Sequence, residues 1–310
     1  MGETSSGLGG LARKVLGSSY FASKRVALLR MSRRRGAPTV VFSMGKTGST
    51  AVARAIQEAT GVPVFQVFRL DAARLREAER RYRQNQSDAR AHGGGTPGLF
   101  FPGAQHLWES EHLLRHPPTP AAPWTIITTV REPVAQAVSA FFHATRRANG
   151  LAAGATPEWL AERFSAQAWL REPLRWFERE FNAVLGLDVM SHAFDTQAGH
   201  SVIDTPSLHL LLLRQENLES AHRVLADFLG VTTPLEGVHR RNEGATGRYA
   251  KLYRDLLAAI RLPERVLDEV YTSSYARHFY GNEEITGFRQ RWALGQHSSE
   301  PGPEKWLNEH

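Results

Sequence analysis

The 310-residue chain contains no cysteine, which excludes disulfides, thiol catalysis and any cysteine-ligated zinc or iron–sulfur centre. Lysine is scarce: among 38 basic residues only Lys14, Lys24, Lys46, Lys251 and Lys305 are lysines, so a lysine inside a glycine-bearing loop stands out from the composition. No run of 18 apolar residues occurs, which argues against a transmembrane helix. Lys24, Arg25 and Arg30 break the apolar stretches ahead of Pro38, where a signal-peptide core would lie. A cytoplasmic location is the resulting expectation.

What is present points to a basic α/β protein. The hydrophobic fraction of 42% is enough for a substantial core. A formal charge of +7 and a pI near 10.0 favour a polyanionic partner, which could be a nucleotide, an anionic polymer or a membrane surface. Residues 1–37 read as a basic arm ending in "SRRR", with apolar residues near helical spacing that would suit peripheral contact with an anionic membrane. Residues 38–295 read as the α/β domain and 296–310 as a tail.

From Pro38 strand and helix patterns alternate. "TVVFS" is a buried strand, "STAVARAIQEA" a helix stopping at Gly61, "VPVFQVF" a second strand and "LDAARLREAERRYRQNQ" a charged helix. "ARAHGGGTPG" reads as a loop. "WTIITTV" is a third strand running into the helix "REPVAQAVSAFFHATRR", whose Pro133 suits a first turn. "TPEWLAERF" and "EPLRWFEREFNAVLG" add helices with proline near their starts, and "SLHLLLLRQENL" holds another strand before the helix "ESAHRVLADFLG". Such alternation predicts a three-layer α/β fold, a parallel sheet of P-loop-like kind with helices on both faces.

The chemistry concentrates at "SMGKTGST". A strand, a tight loop and a helix N-terminus make an anion site, because the first helix amides lack partners and the dipole favours negative charge. Gly45 and Gly48 permit close backbone approach, Thr47, Ser49 and Thr50 add hydroxyls, and Lys46 adds a mobile cation. An ATP-binding loop requires G-x-x-x-x-G-K-[ST]; the opening glycine is replaced by Val40. An NTPase also wants an aspartate at a second strand end for magnesium, whereas "TIITTVRE" and "LLLLRQE" end in arginine.

Lys46-Thr47-Gly48-Ser49-Thr50 resembles the 5'-phosphosulfate loop of sulfotransferases that use 3'-phosphoadenosine-5'-phosphosulfate (PAPS). That family pairs the loop with a 3'-phosphate motif, an arginine at a strand end and a serine eight positions later. Here Arg131 ends "TIITTV" and Ser139 follows at 139 − 131 = 8; a guanidinium and a hydroxyl two helical turns apart can converge on one phosphate. "EPLRWFEREFNAVLGLDV" and "SYARHFYGNEEITGFRQRW" look like segments of the capsular-polysaccharide-synthesis proteins, a bacterial branch of that superfamily.

The resemblance implies PAPS as sulfuryl donor, no required metal, no nucleic-acid partner, and a carbohydrate or glycolipid hydroxyl as acceptor. His106, in the His-Leu step between the motifs, takes the role of base, with Glu109 and Glu111 as fallbacks and His112 and His143 behind them. Lys46 stabilises charge at the bridging oxygen. Arg240, Arg241 or Arg248 of "VHRRNEGATGR" supply a basic loop to the cofactor or to an acidic substrate. Glu178 and Glu180 are expected to cap or solvate their helix. Two rivals stay open: a nucleotide-dependent phosphotransferase or NTPase of P-loop-like fold, and a non-catalytic polyanion-binding protein.

Overall fold

The computed structural model describes residues 38–91, 105–149, 155–164, 166–232, 235 and 249–293. The basic arm, Arg240, Arg241, Arg248 and the tail lie outside the described residues.

Five strands form one sheet in the order β2-β1-β3-β5-β4, with β1 Thr39–Phe42, β2 Phe65–Val67, β3 Trp124–Val130, β4 His200–Asp204 and β5 Leu208–Arg214. The first three and β5 run parallel, as the alternating pattern predicts. The remaining strand departs from it: β4 pairs antiparallel with β5. A three-residue turn cannot make a parallel crossover, and Thr205 fixes this one by donating its N–H to Leu208 O (2.8 Å) while its Oγ1 accepts from Leu208 N (2.9 Å).

Alternate strand residues feed opposite faces, because side chains flip at each step of a strand. Val40, Phe42, Ile126, Val130, Leu210 and Leu212 face a core with Trp176, Phe177, Phe181, Tyr275 and Phe279. Val41, Ile127, Leu211 and Leu213 face a second core with Val52, Ile56, Leu225 and Ala226. Both faces are therefore helix-covered. Helix α1 (Ser49–Thr60) ends where expected, at Gly61, whose φ of 66° lets its N–H reach Gln57 O.

Helix α2 is Ala72–Ala91, so Ala89–Ala91 of the expected loop complete a helix. Helix α3 is Gln105–Arg115, α4 Pro133–Asn149 and α5 Pro157–Arg163. The next helix, α6 (Ala166–Phe177), starts well before its proline, and Pro173 lies inside it. Ala166 and Leu170 are buried in a third core with Val138 and Phe142 of α4, which extends the helix upstream of the proline cue. It continues into a π-helical turn, Glu178–Asn182.

That turn corrects the reading of Glu180. Rather than capping or solvating, its fully buried carboxylate accepts from Leu70 N (2.6 Å), Asp71 N (2.9 Å) and Arg74 Nη1 (2.8 Å), fixing the chain leaving β2. Glu178 is exposed and pairs with Arg175. The C-terminal helices are α7 His222–Phe228, α8 Ala250–Ala259, α9 Glu264–Tyr271, α10 Ser274–Phe279 and α11 Asn282–Trp292. None of the described helices is long and apolar enough to cross a membrane.

Glu132, just before α4, is 3% exposed and accepts from Val134 N, Ala135 N, Tyr271 Oη (2.7 Å) and Trp292 Nε1 (3.3 Å). Burial pushes its carboxyl above the ordinary range. A carboxyl raised by folding takes up a proton as the chain folds. Between the ordinary carboxylate range and the raised value, its contribution to stability falls as pH rises. Glu132→Gln is expected to flatten that part of the slope in denaturant unfolding followed from mildly acidic to neutral pH. An unchanged slope would place the titration elsewhere.

Candidate functional site

The chain runs from β1 to β2 on one side and then to β3 on the other side of β1. In open α/β sheets this reversal leaves a crevice at the carboxyl ends of the two diverging strands. Here those ends are Ser43–Gly48 after β1 and Arg131 after β3.

The loop is built on buried hydroxyls. Ser43 Oγ accepts from Thr129 N (2.8 Å), and Thr47 Oγ1 donates to Met44 O (2.9 Å) and sits 2.7 Å from Thr129 Oγ1. All three side chains are fully buried. The Thr47 hydroxyl is thus turned inward, and the residue builds the loop with its side chain instead of offering that hydroxyl to a ligand.

Two backbone positions are left-handed. Gly48, at φ 89°, caps α1, and an added Cβ would lie 2.6 Å from Leu218 Cδ1. Lys46, at φ 71°, is the one non-glycine with positive φ among the described residues, a strained placement of the kind that clusters at functional sites. Gly45 differs: a Cβ there would meet nothing within 4 Å.

The second motif reaches this loop directly. Arg131 Nη1 donates to Lys46 O (3.1 Å) across 85 residues of sequence. The Arg131 backbone is clasped by Tyr275, whose hydroxyl accepts from Arg131 N (3.2 Å) and donates to Arg131 O (2.8 Å). Burial holds that phenol far above its ordinary pKa, so it keeps its proton. Arg131 is not paired with Glu132 among the described residues. Glu132 faces Tyr271 and Trp292, and its N–H donates to Glu216 Oε1 (3.0 Å), whose other oxygen accepts from Tyr280 Oη.

Ser49 and Ser139 are 3% and 8% exposed, and neither hydroxyl has a partner among the described residues. Thr50 is exposed, and its Oγ1 accepts from Gln66 Nε2 (2.9 Å). Arginine's fork, the serine hydroxyls and the start of α1 together suit a phosphate or sulfate.

The expected base lies one strand away. The His106 ring meets the Phe68 ring edge-on, centroids 5.4 Å apart, and Phe68 follows β2 at the same carboxyl edge. Glu109 is engaged elsewhere, for its Oε2 accepts from Gln66 N (2.6 Å) and its Oε1 from Gln105 Nε2 (2.7 Å), so it satisfies the outward N–H of an edge strand. Glu111 pairs with Arg115 at 2.9 Å. His112 is stacked on Phe65 and Trp108, and burial lowers its pKa, which keeps the ring neutral. His143 is half-buried on α4, one turn beyond Ser139.

Two residues escaped the sequence reading. Gln136, 2% exposed on α4, donates from Nε2 to Gly45 O (2.8 Å); its signal was the helical spacing Gln136, Ser139, His143. Arg69, two residues after β2, is half-buried with no partner among the described residues. Like Arg131, it is an arginine at a strand end.

No curated protein and no solved structure matches the chain. Residues 158–281 match one family model, described as "Putative capsular polysaccharide synthesis protein"; the matched segment carries Glu180, Arg214, Glu216, Tyr275 and Tyr280 of the framework behind the crevice, and lies downstream of Lys46 and Arg131.

Proposed function

We propose that the chain is a PAPS-dependent sulfotransferase acting on a hydroxyl of a carbohydrate or glycolipid. The observation that carries this reading is the Arg131 Nη1 to Lys46 O bond, which joins the two resembling motifs in one crevice. The donor set fits the cofactor: Lys46, the α1 amides and Ser49 for its 5' end, and Arg131 with Ser139 for its 3'-phosphate. When bound, PAPS supplies a sulfuryl group activated as a mixed anhydride.

The protein's part is to orient and to move charge. His106 takes the proton of the acceptor hydroxyl as that oxygen attacks. Lys46 and the loop amides carry the negative charge that accumulates on the departing phosphate oxygen. The capsular description of the matched family supports a saccharide acceptor. Strand ends occupied by Arg131 and Arg214 leave the phosphotransferase alternative with less support, since Arg214 is engaged with Glu284 (2.7 Å).

Titration calorimetry tests the reading. 3'-Phosphoadenosine-5'-phosphate is expected to bind at least tenfold more tightly than ATP with magnesium; the reverse order would favour a phosphotransferase. His106→Ala is expected to keep nucleotide binding and lose sulfuryl transfer by roughly 10²-fold or more. Normal turnover in that variant would move the base to Glu111, because both Glu109 oxygens are occupied.

A further inference from the structure

Two successive carbonyls of the loop are held by side chains from the segment that runs from the end of β3 into α4. Gly45 O accepts from Gln136 Nε2 (2.8 Å) and Lys46 O from Arg131 Nη1 (3.1 Å). Every peptide bond among the described residues is trans, and in a trans peptide the C=O and N–H of one unit point in opposite directions. Fixing Gly45 O towards Gln136 and Lys46 O towards Arg131 therefore turns the N–H groups of Lys46 and Thr47 away from those two side chains. Neighbouring amides aimed alike make an anion-binding concavity.

The bond to Gly45 O comes to Gln136 at a cost in stability. Its Oε1 is buried without a hydrogen-bond partner, an unfavourable arrangement that an apolar side chain of equal volume would avoid. Flipping the amide does not help, because Oε1 would then face Gly45 O and the NH₂ group would be left unpaired. A polar residue kept there at such a cost serves the loop.

We infer that Gln136 is a positioning residue for the anion loop: it holds Gly45 O so that the Lys46 and Thr47 amides face the ligand. The inference rests on the reading of this crevice as an anion site. It adds a residue that neither the phosphosulfate-loop likeness nor the arginine–serine likeness contains.

The test is Gln136→Met, which keeps the volume and loses the donor. Met removes the unpaired Oε1 and also the donor to Gly45 O, so the melting temperature is expected to stay within a few degrees of the wild type, while affinity for 3'-phosphoadenosine-5'-phosphate falls about five- to tenfold. In transfer assays KM for PAPS should rise with kcat little changed, and the amide NMR signals of Lys46 and Thr47 should shift. A parallel loss of stability and affinity, or wild-type affinity with unmoved amide signals, would overturn the inference. Pyrophosphate separates the two ideas. If wild type binds pyrophosphate but not the adenosine bisphosphate, the sulfotransferase reading fails and the Gln136→Met comparison is made on pyrophosphate. If it binds neither, the loop is no anion site and the inference falls.

Discussion

Arg131→Ala is expected to weaken binding of 3'-phosphoadenosine-5'-phosphate by roughly a hundredfold, while the melting temperature moves by no more than a few degrees. The guanidinium is half-buried and bonds one loop carbonyl, whereas the backbone at this position is held by Tyr275 independently of the side chain. Charge-assisted hydrogen bonds contribute about 1.5–3 kcal/mol each, so losing them to a phosphate gives about 3 kcal/mol, or two decades in affinity. A second ligand separates direct reading of the 3'-phosphate from an indirect effect through the loop. Adenosine-5'-phosphosulfate lacks that phosphate, and its affinity should fall only severalfold, the share owed to Lys46 O. Equal losses for both ligands would mean that Arg131 acts on the loop alone.

Much of this architecture was legible from residue order. The strand "WTIITTV" and the stop of α1 at Gly61 followed from β-branched runs and from the glycine that a left-handed helix end prefers. The encounter of Arg131 with the Lys46 loop was implied only through family likeness, because nothing local in either segment encodes a contact across 85 residues. The antiparallel β4 is absent from the alternation of strand and helix, although "TPS" between "HSVID" and "LHLLLLR" is a turn signal joining two strand-like runs. Other roles are tertiary and leave no trace in spacing. Glu109 spends its carboxylate on the open edge of β2, and Glu180 on the chain leaving that strand. Carboxylates inside polar-looking helices read as solvated until the packing shows what they face. Thr47 is a related case: a hydroxyl in a ligand loop invites a binding role, yet the cluster with Ser43 and Thr129 claims it for the loop's own shape.

Lys46 offers the sharpest separation of activity from stability. Lys46→Met should reduce sulfuryl transfer by roughly 10²- to 10³-fold, the usual loss when one group stabilising transition-state charge is removed, with binding of 3'-phosphoadenosine-5'-phosphate changed far less. Lys46→Gly should lose the same activity yet be no less stable than wild type in denaturant unfolding. At φ 71° a side chain with a Cβ costs about 1–2 kcal/mol that glycine does not, against about 0.5–1 kcal/mol of extra chain entropy for glycine. A glycine variant that is both inactive and clearly less stable would show that Lys46 is needed to hold the loop. An inactive variant of undiminished stability is the result expected of a residue kept in a strained conformation for its charge.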